Sequence, residues 1–583
     1  MAVTQYIGAR YVPKFYENSD GTEEWRAGVE YEPLTIVTWN GNSYTSKKPI
    51  PSTVGAPSEN PSYWVATGIF NQQIADLTNR VNALGEEIKK YYVTPEMFGA
   101  AGDGVTNDTA AMQEAVDTGY IVLLSGEYLI DTVNVTKDTV IYGVGGSVKP
   151  TLTGAAPAPT KTAFNFSANG TVECVDFIGS LSATGDLNRY PVIDAENIDK
   201  LTVKKCTFRD FGGEYVNQSG TAMYDFYAVY IRAIDVDSTV IDGNTFSGRA
   251  NDETIMVCPK TKTGKTEVTF TNNISENMPV GASLNLFGTV VKMNFNVWNN
   301  CSYPGSAVNL ACEELYFIGN TFNGCSYENI VDGNEECLFH AEHSIIKNNI
   351  VKGAVTVFAD IVGEVLTLEN NYVEGGGLVK HEITSRTSEL VPVSLQNSVK
   401  RTQPVVTIRN NTIKVNNSGP SIAIFRVGSL GASNAGLYPA SSYTAGGRVS
   451  IENNMVEGMG GYVAEKYFSL IKLIFKRISM RNNTVKNINR DQGSSAAKFL
   501  IMLDSRIGAS DVKTELIDIM GNMFYDMDSA FTNGVYAIGQ LRGSDSPDKP
   551  VGIIDLFHNH NIGGRFLGGI ASNFYDVMNT DIT

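Results

Sequence analysis

The sequence predicts an all-β chain: a right-handed parallel β-helix (solenoid) preceded by a short coiled coil and a small β module. Three observations predict it. A short strand ending in asparagine recurs eleven times between residues 239 and 561, as in Val406-Thr-Ile-Arg-Asn-Asn411 and Ile478-Ser-Met-Arg-Asn-Asn483. The anchors Asn244, Asn273, Asn296, Asn320, Asn349, Asn371, Asn411, Asn454, Asn483, Asn522 and Asn559 stand 22 to 43 residues apart, the period of stacked supersecondary units. Apolar residues five and three positions before most anchors alternate as a strand with one buried face does, and no helical period accompanies them.

Successive coils of a parallel solenoid lie about 4.8 Å apart, so equal phases form columns. Asparagines in a column can donate their side-chain amides along the stack, as Asn ladders do in cross-β assemblies. They also tolerate the left-handed backbone of a tight turn. Cys206 takes the asparagine's place one coil before Asn244. The handedness of parallel crossovers favours a right-handed coil. Cys301 and Cys325 each follow their anchors by five residues and so share a column. With Cys174, Cys206, Cys258, Cys312 and Cys337 they make seven, without a Cys-x-x-Cys pair, so stacked free thiols are expected rather than a disulfide framework.

Residues 1–68 form an aromatic module holding Trp25, Tyr31, Trp39, Tyr44, Tyr63 and Trp64, with two short strands expected around Asn40-Gly41. Tyr31…Val37-Thr-Trp39-Asn-Gly41-Asn-Ser-Tyr44, closed by Pro57 to Trp64, resembles small chitin-binding-type modules, with Trp39 in place of a tyrosine. Such a module resembles those that open many phage tail proteins, which implies a virion-attachment or adaptor role ahead of sugar binding. Residues 69–92 carry a heptad, Phe70, Ile74, Leu77, Val81, Leu84, Ile88 and Tyr91, that predicts a coiled-coil oligomerisation helix. These positions alone leave dimer and trimer open.

The solenoid, 93–583, opens on Phe98-Gly-Ala-Ala-Gly-Asp103-Gly-Val-Thr-Asn107-Asp108-Thr109-Ala-Ala-Met-Gln113. This run is similar to the opening of phage tailspikes and of the pectate-lyase-like superfamily, with Asn107 replacing one of the usual acids. The resemblance implies a right-handed β-helix, a trimer of three chains, and a structural role for Asp103 and Asp108. Asp108 or Thr109 is expected to cap a short helix whose apolar face (Ala111, Met112, Ala115, Val116) plugs the open end of the stack.

The net charge of −17 and pI near 4.9 argue against nucleic acid or an anionic membrane as a partner. No apolar run is long enough to span a membrane, and the start lacks the basic-then-apolar pattern of a secretory signal. Synthesis in the host cytoplasm and release in a virus particle are therefore expected. No metal-ligand cluster or cofactor motif stands out, so neither a metal nor a cofactor is expected.

Hydrolysis of a glycan needs two carboxyls about 5 Å apart for retention or roughly 6.5–9.5 Å for inversion. Adjacent coils supply the first spacing and diagonal or skipped coils the second. Glu313, Glu342 and Glu364 stand seven residues before three successive anchors, with His343 beside the middle one and His340 close by. Crowding would raise one carboxyl's pKa and so set an acid beside a base. Asp252, Glu253, Asp332, Glu335 and Glu336 form a second candidate group. Long loops expected at 376–405 and 416–446 could wall a groove. The expected function is that of a tailspike-like homotrimer that binds, and cleaves by hydrolysis or elimination, a bacterial surface glycan, held to the phage tail or baseplate by its N-terminal module. The alternatives are a non-catalytic receptor-binding or structural tail protein and a secreted pectate-lyase-like enzyme.

Overall fold

A computed structural model describes residues 13–68, 77–80, 91–151, 161–179, 190–211, 230–248, 253–278, 283–303, 305–332, 341–382, 403–416, 423–429, 446–459, 467–472, 475–486, 499–504, 514–525, 536–541, 553–557, 560–562, 565–568, 574–577 and 580–582. The chain divides into two compact units, 1–92 and 93–583.

In the first unit, strands Lys14–Phe15, Thr35–Trp39, Asn42–Ser46 and Trp64–Gly68 form one sheet in that order. Asn40 and Gly41 both have positive φ (50° and 72°), as the two central residues of a type I′ hairpin require. Most of the aromatics are core. Tyr31 and Trp64 are buried with Val37 and Ile50, and Tyr16, Tyr44 and Tyr63 pack against them. Trp25 and Trp39 meet edge to face at 5.0 Å and are half-buried. Residues 77–80 are helical. The remainder of the heptad, apart from Tyr91, lies outside the described residues.

The second unit is a parallel β-helix. Each coil contributes a strand to three sheets, and each strand pairs in parallel with the corresponding strand of the next coil. The first sheet runs from Ile121–Leu124 to Phe574–Val577. The second carries the strands that follow each asparagine, such as Thr245–Ser247, and the third those like Glu253–Cys258. Aromatic side chains stack along the interior: Phe177 on Phe208 at 4.9 Å, Phe208 on Phe246 at 5.1 Å, and Trp298 on Phe322 at 4.3 Å. These rings are set in a core made mostly of Val, Ile and Leu, and in a solenoid each coil buries it against its neighbours alone.

The asparagine column is continuous from Asn244 to Asn522. Each side-chain oxygen accepts from the backbone N–H and the amide of the preceding asparagine, and each amide also donates to a carbonyl of the preceding coil. Asn349 Oδ1 accepts Asn320 N at 2.8 Å and Asn320 Nδ2 at 3.1 Å, while Asn349 Nδ2 reaches Phe317 O at 3.0 Å and Asn371 Oδ1 at 2.8 Å. Cys206, in the asparagine's place, donates its backbone N–H to Asn244 Oδ1 at 2.9 Å. The left-handed backbone belongs to the residue before each described anchor instead: Asn272, Asn348, Asn370, Asn410, Asn453 and Asn482 have φ between 53° and 57°, Gly243, Gly319 and Gly521 take the place before Asn244, Asn320 and Asn522, and Phe295 (59°) that before Asn296. The tandem asparagines thus divide the work, the first bending the chain and the second building the ladder.

Charges alternate on both sides of this ladder. Lys347, Glu369, Arg409, Glu452 and Arg481 form one register column, and Lys352, Glu374, Lys414, Glu457 and Lys486 another. Successive coils therefore carry pairs of opposite sign.

The N-terminal cap also differs in detail from expectation. Helix Thr109–Asp117 buries Ala111, Met112, Ala115 and Val116 against the first coils, as its pattern requires. Asp108, however, accepts from the backbone N–H groups of Ala101 (2.7 Å) and Gly102 (3.0 Å), pinning the glycine-rich turn. Asn107 Oδ1 takes the Thr109 N–H at 3.0 Å, an Asx turn leading into the helix, whose N-cap position is Asp108. Asp103 accepts from Val105 N and Thr106 N, and these bonds hold its carboxyl below the usual range. The expected long loops are shorter than read, because Gly377–Glu382 and Ala423–Ser429 are strands of the third sheet. Residues 383–402, 417–422 and 430–445 lie outside the described residues.

Candidate functional site

The corner between the third and first sheets brings the three glutamates together on three consecutive coils. Cys312 pairs with Ala341, which puts Glu313 and Glu342 at the same place one coil apart. Glu364 N then donates to Glu342 O at 3.1 Å, continuing the column. Glu313 N donates to Thr289 O at 2.9 Å, and Thr289 exchanges two 3.0 Å bonds with Thr266, each backbone N–H donating to the other's hydroxyl. The corner thus passes from hydroxyls to carboxylates as the coils ascend.

Glu313 is exposed, and Glu342 and Glu364 are half-buried. Gln403 N donates to Glu364 Oε1 at 3.2 Å. The buried Cys312 thiol, on the strand that carries Glu313, is pushed well above its ordinary value, first by burial and then by the charges of Glu342, Glu313 and Glu314. Tyr316 donates its hydroxyl to Glu314 Oε2 at 3.1 Å. His343 is exposed, in register with Glu314 and Val365. His340 lies outside the described residues. Backbones stacked at strand spacing, about 4.8 Å, let two carboxyls on adjacent coils approach to the separation that a general acid beside a nucleophile uses.

The second candidate group does not gather in one place. Glu253 pairs with Ser283, and Asp332 lies three strands further along the third sheet, about 14 Å at strand spacing. Asp252, Glu335 and Glu336 lie outside the described residues. Asp332 instead belongs to a register column, Asn285, Asn309, Asp332, Asp360, Lys380 and Arg426, that sequence reading missed. Its phase relative to the anchors drifts: Asp332 stands 12 residues after Asn320, Asp360 11 after Asn349, and Lys380 9 after Asn371.

Cys301 and Cys325 lie on neighbouring coils, where Ser326 N donates to Cys301 O at 3.0 Å. Both thiols are buried and free, as expected. Each thiol donates to backbone: Cys301 Sγ to Asn299 O at 3.4 Å, and Cys325 Sγ to Trp298 O at 3.4 Å and Asn323 O at 3.5 Å.

No protein-family model matches the chain. A capsule depolymerase, KN3-specific, of Klebsiella phage KN3-1 is 37% identical over 117 residues, which cover 17% of this chain and 13% of that protein. The chain therefore spans a small part of the length of the curated relative it matches. Among solved structures it is similar to PfbA, a surface adhesin of Streptococcus pneumoniae (15% identity, TM-score 0.36, covering 78% of this chain and 96% of that one). It is also similar to the catalytic unit of a GH87 α-1,3-glucanase from Streptomyces thermodiastaticus (12% identity, TM-score 0.33, covering 82% and 69%).

Proposed function

We propose that this chain is a phage tailspike-type protein that binds a bacterial surface polysaccharide and depolymerises it. The observation that carries the reading is the glutamate column: three carboxylates on three adjacent coils at a water-accessible corner of a long, rigid β-helix. The likeness to a phage capsule depolymerase points to the same substrate class. In the reaction one carboxyl of an adjacent pair protonates the glycosidic oxygen as that bond breaks, while its neighbour attacks the anomeric carbon. Water, deprotonated by the first group, then releases the sugar. Glu342, in the middle, has a partner on either side. The N-terminal module serves as the adaptor to the phage tail or baseplate, and the heptad holds a homotrimer.

The test is incubation with purified surface polysaccharides from a panel of strains, beginning with the KN3 capsule of Klebsiella. Reducing ends and the ultraviolet absorbance of unsaturated uronates are followed together. New reducing ends without absorbance establish a hydrolase, and both together an eliminating enzyme. Silence on a glycan that the protein binds makes it a receptor-binding spike and removes the glutamates from catalysis.

A further inference from the structure

Where the first sheet begins, beside the N-terminal cap, its outer face holds a pocket of about 300 Å³, at the lower end of the volumes that small-molecule sites take. Val122, Ile141 and Val172 point into the core, so the residue before each, Ile121, Val140 and Thr171, points outward and floors the pocket. Tyr120 lines it too, with 42% of its surface exposed. The backbone fixes this tyrosine on both sides: its N–H donates to Thr118 Oγ1 at 3.1 Å, and its carbonyl accepts from Thr139 Oγ1 at 2.7 Å.

Asp138, Asn169 and Lys200, on three successive coils, supply the pocket's polar groups. Asn169 ties them together. Its backbone N–H and its side-chain amide donate to the Asp138 carboxylate at 3.0 and 3.3 Å, and its Oδ1 accepts the backbone N–H groups of Asp199 at 3.0 Å and Lys200 at 2.8 Å. These bonds set the polar groups in place before any ligand arrives, which lowers the cost of binding one. Among the described residues the exposed Lys200 ammonium has no hydrogen bond or ion pair, whereas Lys137 is held by Asp117 O at 2.5 Å and Lys205 by Glu173 at 2.9 Å. The pocket thus combines an apolar floor, an exposed aromatic ring, a fixed carboxylate acceptor and an unpaired ammonium donor. A pyranose has the matching chemistry, with an apolar C–H face and an edge of hydroxyls that both donate and accept.

The floor continues up the sheet towards the glutamates. Val140, Thr171, Thr202, Val240 and Thr269 stand in register, all of them short β-branched side chains, and Lys292 and Tyr316 follow. Tyr316 bonds Glu314, the residue after the first glutamate of the column. Thr171 and Tyr316 are five coils apart, about 24 Å at strand spacing. We propose that the pocket is a remote sugar subsite, which seats one pyranose unit of the glycan with its C–H face on Tyr120 and Ile121 and its hydroxyls between Asp138 and Lys200. The inference rests on the glycan-binding reading and deepens it: the polymer gains a second foothold on the same face of the helix, and two footholds on one chain bind more tightly than either alone.

The experiment measures retardation of the full chain in gels containing purified capsular polysaccharides from the strain panel, beginning with the KN3 capsule. On a polymer that wild type binds, Tyr120→Ala and Lys200→Gln are each expected to weaken binding about tenfold or more, and Tyr120→Phe, which keeps the ring, by less than about twofold. Tyr142→Ala removes another exposed aromatic of the same sheet, outside the pocket, and should bind as wild type does. Thermal melting of each variant separates lost recognition from lost folding. Wild-type affinity in Tyr120→Ala overturns the subsite while leaving glycan binding intact. A loss confined to Lys200→Gln overturns it as well, because it marks a general attraction of charge rather than a seated sugar. Failure of wild type to bind any glycan of the panel overturns both readings, whereas binding without cleavage overturns only the catalytic one.

Discussion

Lys347 and Glu369, on neighbouring coils and in register, meet at 2.7 Å, and Arg409 reaches the other oxygen of the same carboxylate at 2.8 Å from the coil beyond. The Glu369 side chain is 13% exposed, so water screens this triad only in part. The hydrogen bond from Lys347 is the largest influence holding its carboxyl below the ordinary value of 4.5. A depressed carboxyl contributes stability that is fully present above its unfolded value and is lost as pH falls through its folded value. Glu369→Gln should therefore cost about 1–2 kcal/mol at pH 7, discounted for the exposure of Arg409, and the gap from wild type should close towards pH 3. Glu369→Lys should cost more, because three cations would then stack. Thermal melts of the three proteins between pH 3 and pH 7 check both expectations, and a gap independent of pH would refute the first.

Neighbouring asparagines should respond to substitution in opposite ways. Asn349 is buried and satisfies two donors and two acceptors on three other residues. Asn349→Ala leaves those groups unpaired in the interior and should cost roughly 3 kcal/mol or more. Asn348, one residue earlier, has φ of 57° and is exposed. Asn348→Gly should change stability by less than about 0.5 kcal/mol, since glycine adopts that backbone freely, while Asn348→Val should destabilise by about 1–2 kcal/mol. Urea unfolding followed by limited proteolysis, which detects local opening of a few coils, reads all three.

These two positions also show what a sequence can and cannot reveal. The ladder was legible because a stacked fold writes the same requirement once per coil, and eleven repetitions make a column visible. The division of work inside Asn-Asn was not, because both members look alike. Gly243, Gly319 and Gly521 before their anchors were the available signal that the bend precedes the ladder residue. The glutamate column was found by counting back from the anchors, since the first-sheet strand leading into each is nearly constant in length. Asp360, Lys380 and Arg426 escaped the same count because the loop between the second and third sheets varies: Lys380 follows its anchor by 9 residues and Arg426 by 15. Only the strand register restores their alignment.

The heptad makes a separate expectation about assembly. Leu77 sits at one of its apolar positions, in the described helical residues 77–80, with 59% of its surface exposed. A partner helix would remove that surface from water. Light scattering of the full chain should give a mass near three times 63.2 kDa, and Leu77→Asp should reduce it to the single-chain value. A monomeric wild type would remove the trimer from the reading.

The spacing of the glutamates carries a stereochemical expectation. Backbones on adjacent coils lie about 4.8 Å apart, so their carboxyls can meet at the separation of about 5–5.5 Å that retaining glycosidases use, whereas Glu313 and Glu364, two coils apart, start from about 9.6 Å, at the limit for inversion. Glu342 belongs to both adjacent pairs, so Glu342→Gln should lower kcat by at least 10³-fold, while of Glu313→Gln and Glu364→Gln one should match that loss and the other should change kcat less than tenfold. The first product released should keep the anomeric configuration of the polymer, which proton NMR of the nascent sugar reads directly. Inversion would transfer the chemistry to Glu313 and Glu364 and make Glu342 the spared residue. Full activity in all three variants would clear the column of any catalytic part.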